Sequence, residues 1–202
     1  GGGGVSGGLG RDLAAEASRV LAAQRDTAEK LSRSVEEARD AAARVVELEQ
    51  ALAAAPNRAR DDASVIKWRA DHTYTTIKKG TNQIVCYSRS DERDRQPFAV
   101  QCTSMANLER VAQNRQFRAD STDAEGNRAL VAAAADSGTR VMSEYGSFFM
   151  SMNGPDQASA SLHTTIGMPG ATTASTGFPD NRDQGGAWIM AAGSSEAHLM
   201  VP

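Results

Sequence analysis

RDLAAEASRVLAAQRDTAEKLSRSVEEARDAAARVVELEQALAAA, residues 11–55, is dominated by Ala, Leu, Glu and Arg and holds neither glycine nor proline before Pro56. These are strong helix formers. Small or apolar residues recur at Leu13, Ala17, Val20, Thr27, Leu31, Ser34, Ala38, Ala41, Val45, Leu48 and Leu52, alternating steps of three and four, with Gln24 in the one gap. A second row follows Ala14, Ala17, Leu21, Ala28, Leu31, Val35, Ala38, Ala42 and Val45. Together they predict an amphipathic helix over 11–56 whose stripe is broader than a two-stranded seam. Asp26–Lys30, Glu29–Arg33 and Asp40–Arg44 are i,i+4 pairs on its wet side, and Pro56–Asn57 ends it.

Such a helix is about 66 Å long. A compact domain built from the remaining residues is narrower, so its own globule cannot shelter the whole stripe. A second copy, another subunit, or a hairpin bend at 24–27 would cover it. Alanine buries little area, which leaves the isolated helix marginal and favours docking on a preformed partner. The residues expected to meet that partner are Leu13, Ala17, Val20, Leu21, Leu31, Val35, Ala38, Val45, Leu48 and Leu52.

Outward from the helix the character changes twice. Residues 1–10, GGGGVSGGLG, form a glycine-rich leader with almost nothing to bury. From residue 63 onward, short β-branched and aromatic runs read as strands at 63–69, 73–78, 83–88 and 98–103. Gly80–Thr81–Asn82 supplies a turn, and 91–96 is a charged loop. Helices are predicted over 105–117 and 124–135. A hairpin follows at 146–153 and 159–167 around Gly154–Pro155, then a closing pair at 187–192 and 197–201. Strands, helices and strands again give an α+β domain over 63–202, with an antiparallel sheet and two helices.

The 202 residues carry a formal net charge of −3, with 40% hydrophobic and 23% charged side chains. A packed core is possible. No basic stripe suggests nucleic acid. No apolar run approaches the ~20 residues of a transmembrane helix, so membrane association would have to pass through a partner. There is no basic start with an apolar block, and no leading cysteine for a lipid anchor; an exported form would be the mature one. Cys86 and Cys102 suit one disulfide or two buried thiols equally well.

The segment Gly80-Thr-Asn-Gln-Ile-Val-Cys86 resembles one carried by a group of uncharacterised secreted bacterial proteins, Gly-(Thr/Ser)-Asn-Gly-x-x-Cys after two short strands. The C-terminal stretch is closer. Pro169-Gly-Ala-Thr-Thr-Ala-Ser-Thr-Gly-Phe-Pro-Asp180 and Gly185-Gly-Ala-Trp-Ile-Met190, then Ala197-His-Leu-Met200, are similar to the group's Ala-x-x-Ser-Thr-Gly-Leu-Pro, Gly-Ala-Trp-(Ile/Val)-Met and Ala-His-Ile-Met. The resemblance spans about 63–202, omits the helix, and departs at Gln83 and Phe178. It implies export behind a cleaved signal and a Cys86–Cys102 disulfide. Closing that loop of about 15 residues would add about 3 kcal/mol in chain-entropy terms.

Catalytic signatures are weak. His72, His163 and His198 are the only histidines. His198 with Met190 and Met200 nearby could in principle contact a soft metal or haem, but no second ligand sits at a diagnostic spacing. A strand histidine among core methionines accounts for it. The Ser/Thr cluster at 172–176, with Asp180 and His198, lacks Gly-x-Ser-x-Gly. The glycine leader lacks the Lys-Ser/Thr of a phosphate loop. Neither metal nor cofactor is implied. The expectation is a non-catalytic structural or interaction protein of the bacterial cell envelope, periplasmic or extracellular. It would be an accessory subunit docked through its helix on a larger assembly, including one in a membrane. The alternative is an exported ligand-binding or enzymatic domain with a site at Thr176, Asp180 and His198.

Overall fold

The computed structural model describes residues 6–202, with side chains from Asp12 onward; residues 1–5 of the glycine-rich leader lie outside them. α1 is one unbroken helix, Ser6–Ala51, about 69 Å long at 1.5 Å per residue. It has no hairpin break at 24–27, and its backbone begins inside the leader. Two compact units result among the described residues, one ending at residue 46 and one spanning residues 47–202.

The second unit starts earlier than residue 63 because the end of α1 belongs to it. A 3₁₀ turn at Leu52–Ala54 continues the helix, and Ala55, extended before Pro56, stops it. The Arg60 guanidinium donates to the Ala53 and Ala55 carbonyls, which would otherwise be left open at a helix end.

The strands are β1 (Ser64–Trp68), β2 (Tyr74–Lys78), β3 (Ile84–Ser88), β4 (Phe98–Ser104), β5 (Phe148–Gly154), β6 (Ser161–Gly167), β7 (Trp188–Met190) and β8 (His198–Val201). They form one eight-stranded sheet in the order β2-β1-β3-β4-β5-β6-β8-β7. Between β4 and β5 come α2 (Leu108–Asp120) and α3 (Ala124–Asp136); a single turn, α4 (Thr173–Thr176), precedes β7. All these strands were legible to within a few residues from their β-branched and aromatic runs; α4, held by a Thr172–Ser175 capping box and a left-handed Gly177, was not.

One pairing departs from the antiparallel expectation. β1 and β3 run parallel, joined only at Ser64↔Val85 and Val65↔Cys86. The chain leaves β2 at the sheet edge and must cross the entry of β1 to reach β3 on its other side. Gly80–Thr81–Asn82 is therefore a crossing strap rather than a hairpin turn. The Thr81 and Asn82 amides both donate to the Asp62 carbonyl at 2.8 and 3.1 Å, Gly80 N donates to Ser64 Oγ, and Asn82 Nδ2 to the Ala59 carbonyl. A Cβ on Gly80 would lie 2.5 Å from the Ala63 carbonyl carbon and closer still to the Asp62 oxygen.

Alternation along the strands separates two faces. One carries Val65, Cys86, Phe98, Val100, Cys102 and Met150, and receives Ala51, Leu52, Ala54 and Ala55 from the end of α1. The other carries Ile66, Trp68, Val85 and Tyr87 against Leu108 and Val111 of α2. A third cluster, Ala171, Ile189, Ala197 and Leu199, closes the C-terminal strands. Cys86 and Cys102 face each other directly across β3 and β4. Both are fully buried, with their sulfurs 2.09 Å apart.

Two outcomes follow. Gly80→Ala forces backbone against backbone and should cost about 3 kcal/mol or more, read by urea unfolding of the full chain; a loss near 0.5 kcal/mol would show that the strap is loose. Replacing both cysteines by alanine should lower stability by about 3 kcal/mol, and reductant should lower the melting temperature of the parent but not of this variant.

Candidate functional site

Every residue of α1 from Asp12 to Val46 is exposed. Leu13 is 64% exposed, Leu21 55%, Leu31 65% and Val45 53%. Val20, Val35 and Val46 share that openness, as do Ala17 and Ala38. The predicted stripe thus stands uncovered by its own chain. Of the three i,i+4 pairs, Asp26–Lys30 closes at 2.7 Å. A shallow concavity of about 440 Å³ on this helix is walled by Val20, Ala23, Thr27, Ala28 and Leu31.

Leu48 and Leu52 require correction. They lie on the same heptad seam but turn inward: Leu52 is 9% exposed in the sheet core and Leu48 packs against it. Their row continues the stripe in sequence, and only the contact with the sheet separates them from it. The surface free to meet a partner therefore ends at Val45 and Val46.

At the second candidate site the polar groups make local hydrogen bonds. Thr176 Oγ1 donates to the Thr172 carbonyl and accepts from Phe178 N, closing α4. His198 Nδ1 donates to the Glu196 carbonyl at 2.7 Å, and Asp180 is exposed. Thr176 and His198 therefore use their polar groups within their own turns. The folded unit has open grooves of about 550 Å³, lined by Ala51, Ile66, Trp68 and Ser88 among others, and about 510 Å³, lined by Gln50, Phe98 and Pro155 among others. A third cavity, about 270 Å³, includes Arg93, Arg115 and Arg118. His198, Asp180 and Thr176 line none of the three. Among the described residues no group of three His, Cys, Asp or Glu side chains is placed to hold a metal ion.

What sequence reading missed are two clusters of arginines around single carboxylates. Glu92, with its side chain 4% exposed, accepts from Arg89 at 2.9 and 2.7 Å and from Arg115 at 3.0 Å. Arg118 and Arg95 approach it at 3.2 and 3.4 Å. Burial pushes its carboxyl pKa up, but the Arg89 hydrogen bond and the charges of Arg89, Arg95 and Arg115 hold it below the ordinary carboxylate value. Burial, then the like charges of Arg89 and Arg118, push Arg95 down to about 10. Glu196 plays the same part for Arg110 and Arg140, at 2.7 and 2.8 Å, tying the β7–β8 turn to α2. The only signal was the run of charges at 89–95 and the i,i+3 arginines 115 and 118, and a charge run on its own reads as solvated.

No protein-family model, curated protein or solved structure matches the chain.

Glu92→Gln would leave arginines buried without their counter-charge, and a loss of about 3–5 kcal/mol is expected. Because Glu92 and Glu196 are both held below the ordinary glutamate value of 4.5, they stabilise the fold above that pH. Their contribution disappears as pH falls through the lower folded values. The parent should therefore lose stability below pH 4.5 more steeply than Glu92→Gln, as measured by chemical unfolding at a series of pH values.

Proposed function

We propose that this protein is a non-catalytic attachment subunit of a bacterial cell envelope, held to a larger assembly through the exposed stripe of α1. The carrying observation is that Leu13, Val20, Leu21, Leu31, Val35 and Val45 stay open to solvent on one continuous helix. A long helix with an uncovered apolar side is marginal by itself and gains its stability from what packs on it. Small residues at Ala17, Ala28 and Ala38 allow another helix to come close. The partner is accordingly a protein surface, helical and apolar. Among the described residues no helix is long and apolar enough to cross a membrane.

A periplasmic or extracellular setting is supported by the buried Cys86–Cys102 pair, since disulfides persist in oxidising compartments. The resemblance of 63–202 to secreted bacterial proteins points the same way. The end of α1 is part of the folded core through Ala51, Leu52 and Ala54, so whatever seizes the helix also carries the α+β unit.

The test keeps the full chain and changes only the stripe. Leu21→Gln, Leu31→Gln, Val35→Gln and Val45→Gln together preserve helix propensity and remove the apolar contacts. The parent should sediment with the envelope fraction or elute above monomer mass by light scattering. The quadruple variant should be a free monomer, with the unfolding of the α+β unit unchanged. A parent that is a free monomer in both assays would sink the proposal.

A further inference from the structure

The cavity between the β3–β4 loop and α2 lies in a cluster where five guanidinium groups, those of Arg89, Arg93, Arg95, Arg115 and Arg118, meet three carboxylates, those of Asp91, Glu92 and Asp94. It holds about 270 Å³ and is lined by His72, Asp91, Glu92, Arg93, Arg115 and Arg118, with Ala119. Three guanidinium groups face two carboxylates there. Both carboxylates are already engaged: Glu92 by Arg89 and Arg115, and Asp91 by Arg115. Arg93 is positioned by Ser121, whose carbonyl and hydroxyl accept from it, and by Asp94, whose carboxylate accepts from its Nε at 3.3 Å.

Two buried side-chain nitrogens stand without a hydrogen-bond partner. The Arg115 side chain is 7% exposed, its guanidinium lies 5.3 Å from the centre of the Trp68 ring, and its Nε has no hydrogen-bond partner. His72 is held in the left-handed region at φ 63, and its buried Nδ1 is likewise unpartnered. A β-turn histidine in that conformation is uncommon and is maintained by the surrounding structure. The Arg118 guanidinium is ion-paired with Glu92 at 3.2 Å. Burial first, and then the like charges of Arg89 and Arg93, lower its pKa against the pull of Glu92. An additional anion would relieve that repulsion.

We infer that this cavity is a binding site for a phosphate-class oxyanion, received by Arg115, Arg118, Arg93 and His72. The planar donor forks of arginine match tetrahedral oxyanions, and the cavity is wide enough for the anion free or as the phosphate of a small ester. The site is independent of the α1 stripe, so each can fail without the other.

Calorimetric titration of the full chain at low salt, with inorganic phosphate as probe, tests this. One saturable site is expected. Arg118→Gln should weaken it at least tenfold. His72→Asn, which keeps a residue tolerant of positive φ, should weaken it several-fold. Both variants should unfold at close to the parental temperature without phosphate, and phosphate should raise only the parent's strongly. Displacement of phosphate by glycerol 3-phosphate would support an esterified ligand, and failure to displace it would support the free anion. Absence of saturable phosphate binding, or binding that both folded variants retain in full, would overturn the inference.

Discussion

The end of α1 lies on the sheet through some of the smallest side chains available. Ala51, Ala54 and Ala55 are nearly or wholly buried, and they meet Val65, Cys86, Cys102 and Val100 on the strands. The Cys102 sulfur sits 3.7 Å from the Ala51 carbonyl, so the disulfide and the helix terminus share one layer. Large residues on either side would hold the two apart. This close contact is why the folded unit begins at Glu47 and why α1 has a firm end. It depends in turn on β1 being placed beside β3, which the Gly80 strap enforces by crossing the β1 entry on backbone hydrogen bonds.

The opposite face is built from a different chemistry. Tyr87 donates to Gln101, and Gln101 to Ser151, both at 2.7 Å, making a buried polar chain across β3, β4 and β5. Burial raises the Tyr87 pKa far above its ordinary value, so it remains a hydrogen-bond donor at any physiological pH. Asn107 bonds Thr103, Ser147 and the Glu144 amide, anchoring the start of α2. Satisfied networks of this kind specify one arrangement of helix on sheet, since any slip strands polar groups away from water. Arg110 and Arg140 extend the same logic to the β7–β8 turn through Glu196.

These two faces divide the labour within the chain. The apolar one receives the helix whose continuation offers a sticky stripe, and the polar one carries the guanidinium-lined cavity. Each arginine there is fixed by contacts from elsewhere: Arg115 by Trp68 and Asp91, Arg93 by Ser121. Their positions are thus set before any ligand arrives, which is the condition for a site that loses little order on binding.

Period and composition alone determined the helix, the eight strands, the hairpin at Gly154 and the closing pair, because residues 11–55 follow a helical repeat and the later runs are short, β-branched and aromatic. They also determined that Leu13 to Val45 form one apolar side. Tertiary structure decided what is reached across the chain. It made β1 and β3 parallel, which no local pattern encodes because two residue pairs suffice. It paired Cys86 with Cys102, which spacing left open. It turned Leu48 and Leu52 inward although they continue the seam of Val45. It gathered Arg115 and Arg118 around Glu92, from which the whole of β4 separates them. Local periodicity reports which side of an element is dry; only packing says what lies against it.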